Sequence, residues 1–405
     1  MGTRVYLLTA AFCALALATV ASGAGAPTPG LSSTQVLIGG TTPLTGVASA
    51  YSAVARGADA YFKYVNAHGG VNKRKIKYLI RDDAYDPGKT IDQTRELVQQ
   101  DKVFAIFNSL GTEQNQATRS YLNAIKVPQL FVASGATTWG KDYKQYPWTI
   151  GYQPNYVAEG TIYGRYVARN TPKARVGVLY QNDDYGKDLL KGLRQGLGSK
   201  ANRIVSRQSY DVTDGDVGSQ IARLKSARVN TLMVFATPTY AIQSYVHARK
   251  LGWRPKVFVN AVSSATNIMG IATAATSRKQ TEGSTSIVFL KDPTDRRWAR
   301  DPGMRLYRSV MKRFNAKGNW KDVYNVYGMS AAHTFVEALK KAGKNPTRES
   351  IMRAATHLSV RNDPFLLPGI TVRTSGSDHF PLDQAKLERY HDGHWVAFGG
   401  LFRVR

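Results

Sequence analysis

Short runs of β-branched and aromatic residues alternate with amphipathic stretches along this chain, and that order confines it to a parallel α/β architecture. Val36–Gly40 has strand character, Val54–Asn66 a helical period, and Lys75–Arg81 strand character again. Asp86-Pro87 caps a helix running to about Asp101, because proline at the first helical position sacrifices no hydrogen bond. Val103–Phe107, Gln114–Ile125 and Gln129–Ala133 continue as strand, helix and strand. A βαβαβαβ series of this kind predicts a parallel sheet with helices on both faces.

The rhythm pauses at Tyr146–Pro154 and starts again. A helix at Val157–Asn170 leads to strand Val176–Tyr180, helix Lys187–Leu197 and strand Ile204–Tyr210. Helix Val217–Ala227, strand Thr231–Phe235, helix Tyr240–Leu251 and strand Val257–Asn260 complete a second unit. After a strand at Ser286–Leu290 come two long helices, about Pro302–Asn315 and Val323–Ala342. The C-terminus has β character, with Ala385–Tyr390 and His394–Phe398 flanking Asp392-Gly393, a strong hairpin signal. Two units also suit the length, since single hydrophobic cores stop growing at about 250–300 residues and the chain has 405.

The first residues predict export. Met1–Arg4 carries one positive charge, Val5–Val20 is almost wholly apolar, and Ala21–Ala26 is a string of small residues. That is the form of a secretory signal peptide, taken here as residues 1–26, and the apolar run is shorter than the roughly 20 residues a spanning helix needs. The single cysteine, Cys13, lies inside the run, so the exported chain has no disulfide, thiolate metal site or cysteine nucleophile.

Charge is strongly one-sided: 55 Lys+Arg against 28 Asp+Glu, a net of +27. Such an excess favours anionic surroundings. The basic residues are scattered, without a basic arm or zinc-finger spacing, so no nucleic-acid partner is expected. The excess reads as a surface suited to an anionic envelope.

Several segments, in order, resemble the periplasmic solute-binding proteins of the branched-chain amino acid (Leu/Ile/Val-binding) family of ABC transporters. Ile38–Gly46 (IGGTTPLTG) is similar to that family's first strand and ligand loop, and Arg56-Gly57-Ala58 with Asn66–Val71 (NAHGGV) to its next helix and turn. Asp82–Pro87, Ser109–Thr112, Val127–Thr137 and Asn182–Lys187 (NDDYGK) resemble its acidic turn, its first-lobe binding segments and its second-lobe Tyr-Gly turn.

The resemblance implies a type I periplasmic-binding-protein fold: two doubly wound parallel-sheet lobes, three chain crossings and a ligand cleft between them. Lobe 1 is then expected at 34–153 plus 285–372 and lobe 2 at 154–284 plus 373–405. It also implies a small-molecule ligand, a membrane permease as partner, no cofactor, no catalysis and action as a monomer.

In such folds ligands sit at the carboxyl ends of parallel strands, where helix N-termini offer free N–H groups. Tyr51 closes the loop after the first strand and supplies an aromatic surface. Leu110-Gly111-Thr112 and Ser134-Gly135-Ala136-Thr137 follow two further strands. Their glycines admit a ligand close to the backbone and their hydroxyls can donate to a carboxylate. The same residues also suit plain turns and helix N-caps. By the resemblance, Thr112 and Thr137 hold the ligand carboxylate with backbone groups of Leu110 and Gly135. Tyr185 closes from the second lobe, and Thr237 and Tyr240 fall in a further contact region. Amino-acid-binding members place an acid after the strand matching Val257–Asn260. Here Asn260–Thr266 (NAVSSAT) has none. A buried ammonium without a counter-charge is costly, so an amine-free carboxylate with an apolar or aromatic body fits as well as an amino acid, unless Asp183 or Asp184 turns inward.

Two other readings are weaker. Gly328-Met329-Ser330 followed by His333 lacks the second glycine of a nucleophile elbow and sits in an apolar helical run. His391 and His394 flank a turn without an evident third metal ligand. A ligand-sensing module of the same fold, working with a separate signalling partner, has the same expected site.

Overall fold

The computed structural model describes residue 2 and residues 28–403. The expected signal peptide, with Cys13, lies outside the described residues.

The first unit runs β1 (Gln35–Thr42), α1 (Ser52–Ala67), β2 (Lys75–Asp82), α2 (Pro87–Gln99), β3 (Ala105–Phe107), α3 (Thr112–Ala124) and β4 (Gln129–Val132). The short α4 (Thr138–Lys141) and β5 (Thr149–Gly151) complete it. Its five strands are all parallel, in the order β2-β1-β3-β4-β5. The pause in the sequence pattern at Tyr146–Pro154 thus contains a strand, β5, too short to show a period.

The second unit runs α5 (Tyr156–Asn170), β6 (Val176–Gln181), α6 (Asp184–Leu197), β7 (Ile204–Tyr210), α7 (Gly218–Ser226), β8 (Thr231–Phe235), α8 (Pro238–Lys250) and β9 (Lys256–Val259). Next come α9 (Thr266–Ala275), α10 (Arg278–Thr281) and β10 (Thr285–Val288). Helices α11 (Pro302–Phe314), α12 (Val323–Lys341) and α13 (Arg348–Ala355) follow, then β11 (Ser359–Val360), β12 (Val372–Arg373), β13 (Gln384–His391) and β14 (His394–Arg403). The second sheet is ordered β14-β13-β10-β9-β8-β6-β7, parallel from β7 to β10, with the C-terminal hairpin antiparallel at its edge. Asp392 (φ 48°) and Gly393 (φ 84°) both have positive φ, the turn a two-residue hairpin requires.

Two of the expected lobe boundaries shift. Thr285 of β10 pairs with Phe258 of β9 and Arg389 of β13, so this strand belongs to the second sheet and not to the first unit. The chain returns to the first lobe only at Leu290 and Lys291, which pair with Leu366 and Phe365. The last crossing also comes later than residue 373: Arg373 N–H still donates to Pro381 O, and β13 begins at Gln384. Strand pairing sets both points.

Local chemistry explains where the site helices start. Asp86 accepts from Lys89 N–H with Pro87 at N1, and Asn155 Oδ1 accepts from Val157 and Ala158 N–H at the head of α5. Asp183 caps α6 through Gly186 N–H, so that helix begins three residues before Lys187 and carries Tyr185 in its first turn. Helices α5 and α6 pack unusually close. A Cβ at Gly192 would stand 2.0 Å from Val157 O, and one at Gly160 2.2 Å from Leu189 O. That contact fixes the first turns of both helices, Glu159 and Tyr185 included.

Candidate ligand-binding site

The carboxyl ends of β1, β3 and β4 meet at one edge of the first sheet. Gly111 turns the chain from β3 into α3 with φ +108°, and a Cβ there would lie 2.1 Å from Gln114 Oε1. Glycine is therefore required, and it leaves the first N–H groups of α3 at the cleft, an arrangement suited to anions. Thr112, the first residue of α3, shares a 2.8 Å hydrogen bond with Ser134 Oγ, which also accepts from Ala136 N–H. When Ser134 donates to Thr112, the Thr112 proton is free for a ligand.

Facing this edge is the second lobe. Tyr156 and Glu159 come from α5, Tyr185 from α6, Thr237 from the end of β8, and Ala261 and Val262 from the turn after β9. Tyr324 and Tyr327 of α12 and Phe289 and Leu290 of the crossing close the remaining side. Together with Tyr51, Tyr85, Leu110 and Gly111 they line a half-open cavity of about 770 Å³, solvent space at its mouth included. Among the described residues no Lys or Arg lines it. Tyr51 stacks edge-on to Tyr324 at 5.3 Å and Tyr156 lies 5.0 Å from Tyr185, so the walls are built of interlocked rings.

The polar groups are few and specific. The Tyr185 hydroxyl is buried and makes no hydrogen bond with the protein. Tyr51 is buried beside Ser263, whose proton goes to Ala236 O at 2.6 Å and whose oxygen can still accept from the Tyr51 hydroxyl. Burial first, then neighbouring tyrosines, pushes the Tyr185 hydroxyl well above its usual range, so it remains a donor. Glu159 is 2% exposed. Its Oε1 accepts from Tyr163 O–H and Ala261 N–H, both at 2.7 Å. Burial pushes its carboxyl up to about 7 against those two bonds.

The lobes touch across the cleft. Gln116 Nε2 donates to Asp184 Oδ2, Thr137 N–H to Asp188 Oδ2, Thr239 O–H to Val47 O and Tyr324 O–H to Val262 O, each at 2.7 Å. This is a closed arrangement.

Of the residues expected at the site, Tyr51, Leu110, Gly111, Thr112, Tyr185 and Thr237 line the cavity. Ser134 stands behind Thr112. Gly135 packs on the crossing, where a Cβ would meet Pro154 O at 2.4 Å, and Ala136 is buried. Thr137, expected beside Thr112, lines a separate side pocket and its hydroxyl donates to Asn155 Oδ1 at 3.3 Å. Tyr240 is turned away, donating to Val212 O and Asp214 O and packing on Tyr210. Asp183 and Asp184 serve as helix cap and interlobe contact and do not line the cavity.

Sequence reasoning missed Glu159 and four tyrosines. The absence of an acid in Asn260–Thr266 does not leave the cavity without one, because α5 supplies it. The signal was present: Tyr156, Glu159, Tyr163 and Val167 recur at spacings of three and four, on the buried face of α5. Ser330 is buried within α12, bonded to Tyr152 and Asp363, and His391 pairs with Glu282.

A profile of the periplasmic binding protein family matches residues 35–392. This chain belongs to that family. A Leu/Ile/Val-binding protein homolog of Brucella abortus is 27% identical over 327 residues, 78% of this chain and 81% of its own. Among solved structures, a branched-chain amino acid ABC transporter protein from Thermus thermophilus with bound valine superposes with a TM-score of 0.80. It is 19% identical and covers 92% of this chain and 97% of its own. A solute-binding protein of an ABC transporter from Rhodopseudomonas palustris, in complex with 3,4-dihydroxybenzoic acid, gives 0.75 at 19% identity, with 92% and 98% covered. The periplasmic binding protein described here has their type I fold, and its relatives are solute-binding proteins, not enzymes. Among the described residues no helix is long and apolar enough to cross a membrane.

Proposed function

We propose that this periplasmic binding protein captures a small organic carboxylate with an apolar or aromatic body and, by lobe closure, presents it to a membrane permease. The observation that carries the reading is the cavity itself. One wall holds Thr112 at a helix N-terminus that has no side-chain cap, and the other walls are tyrosine rings, with the Tyr51 and Tyr185 hydroxyls among them. A carboxylate can accept from Thr112, the α3 N–H groups and those hydroxyls without a cationic partner. The apolar remainder of the ligand then replaces water against the rings. Valine and dihydroxybenzoic acid, held by the Thermus and Rhodopseudomonas relatives, both pair a carboxylate with such a body. Export to the envelope is part of the same reading, and the +27 charge suits an anionic surface there.

A thermal-shift panel of aliphatic and aromatic acids, each with its primary amide, tests it. An acid at 100 times its Kd stabilises by about 2.7 kcal/mol. Shifts from acids and none from their amides support the carboxylate; shifts from amides alone contradict it.

A further inference from the structure

Glu159 is an ionisable side chain, more than nine-tenths buried, that the carboxylate reading leaves without a task; when ionised it is an acceptor alone. Both of its protein hydrogen bonds fall on one oxygen: Oε1 takes the Tyr163 hydroxyl and the Ala261 N–H. Oε2 receives no hydrogen bond from the protein and stays open to the cavity that the residue lines. The titratable groups packed around it are Tyr156 and Tyr163 of its own helix, and among the described residues no Lys or Arg lines the cavity to neutralise it. A buried acceptor of this kind is costly unless a donor meets it. When the cleft closes on a ligand and water leaves, the donor that can meet Oε2 is one the ligand carries into the cavity. Ala261 N–H must keep an acceptor, which locks the carboxylate's orientation and keeps Oε2 toward the ligand.

We infer that Glu159 reads a hydrogen-bond donor on the ligand, a hydroxyl or an ammonium, on the side facing the second lobe. The inference rests on the carboxylate reading above and narrows it. The ligand's acid is gripped by the first lobe at Thr112, and its donor is checked by the second lobe at Glu159, so both contacts form together only when the cleft is closed. An acid lacking the donor leaves Oε2 unpaired on closure and is rejected, since an unmet polar group discriminates more sharply than a lost apolar contact.

Calorimetry with matched acids tests this. One series is 4-methylpentanoate with its 2-hydroxy and 2-amino (leucine) forms. The other is 3-phenylpropanoate with its 2-hydroxy, 2-amino and ring 4-hydroxy forms. The expected result is that a donor-bearing form binds at least tenfold more tightly than its parent; whether the hydroxyl or the amine gains more distinguishes the two donors. Glu159→Gln keeps an oxygen for Tyr163 and Ala261 and turns an N–H into the cavity in place of Oε2. The donor advantage then falls at least tenfold, or reverses, an inversion that loss of packing does not produce. Thr112→Val, by contrast, weakens parent and donor-bearing acids alike. Parents that bind as tightly as their donor-bearing forms overturn the inference while leaving the carboxylate reading intact, and this wild-type comparison does not depend on the variant. An advantage unchanged by Glu159→Gln overturns it equally. No binding by any acid contradicts the carboxylate reading, and the inference falls with it.

Discussion

Gln116 of α3 donates a 2.7 Å hydrogen bond to Asp184 of α6, joining the two lobes. It is an exposed contact, with the acid carrying the charge. A hydrogen bond to a charged group contributes about 1.5–3 kcal/mol where buried and less where water competes. Gln116→Ala is therefore expected to speed ligand release by about tenfold at most while leaving association nearly unchanged, as read by stopped-flow fluorescence. Slower association with unchanged release contradicts a role in holding the closed state.

Thr112 and Thr137 separate cleanly. Thr112 lines the cavity, whereas Thr137 faces a side pocket with its N–H on Asp188. Thr112→Val is expected to weaken binding of the preferred acid by about 1–3 kcal/mol, the loss of a charge-assisted hydrogen bond. Thr137→Val is expected to leave it unchanged. Equal losses in both variants place the acid elsewhere.

Tyr185 predicts opposite effects on stability and binding. Its hydroxyl is buried without a protein partner in the closed cleft, so Tyr185→Phe removes an unmet polar group and stabilises the empty closed form by about 1 kcal/mol. The same change removes a donor to the ligand. A higher Tm without ligand and a weaker affinity are expected together; a lower Tm shows that the hydroxyl has a partner after all.

The buried acids predict the pH response. Glu159 titrates near 7 when folded and at 4.5 when unfolded, so between those values the folded chain binds more protons. The contribution of this group is therefore fully present below 4.5 and is lost as pH rises through 7, about 3 kcal/mol in all. Asp83, Asp183 and Asp322, each raised to about 6 by burial, act with the same sign. Denaturant unfolding of the ligand-free protein at pH 5 and pH 8 measures the slope. It is expected to be shallower in Glu159→Gln, and an unchanged slope contradicts the assignment.

Strands and helices were legible wherever a period or a cap marked them. Ile204–Tyr210 and Thr231–Phe235 keep their predicted bounds because each is a full β-rich run between turn residues. Sheet membership was not legible at Thr285–Val288, since nothing local distinguishes pairing with Phe258 from a return to the first lobe. At the site, strand-end glycines and hydroxyls pointed to Leu110, Gly111 and Thr112. Glu159, Tyr324 and Tyr327 come from helix faces whose partner is decided only by lobe packing. Thr137 shows the converse: a motif of the right type, one turn beyond the strand, is carried past the cavity by the start of α4.

In the proposed complex the protein holds an acid between its lobes, with the carboxylate on Thr112 and the body among the tyrosines. A crystal structure with the tightest-binding acid of the panel tests it most directly. The expected structure has a closed cleft, the carboxylate within hydrogen-bond distance of Thr112 and the α3 N–H groups, and the ligand body between Tyr51 and Tyr185. An acid bound in the side pocket beside Thr137 and Arg165, or reversed in the cleft with its carboxylate away from Thr112, contradicts it.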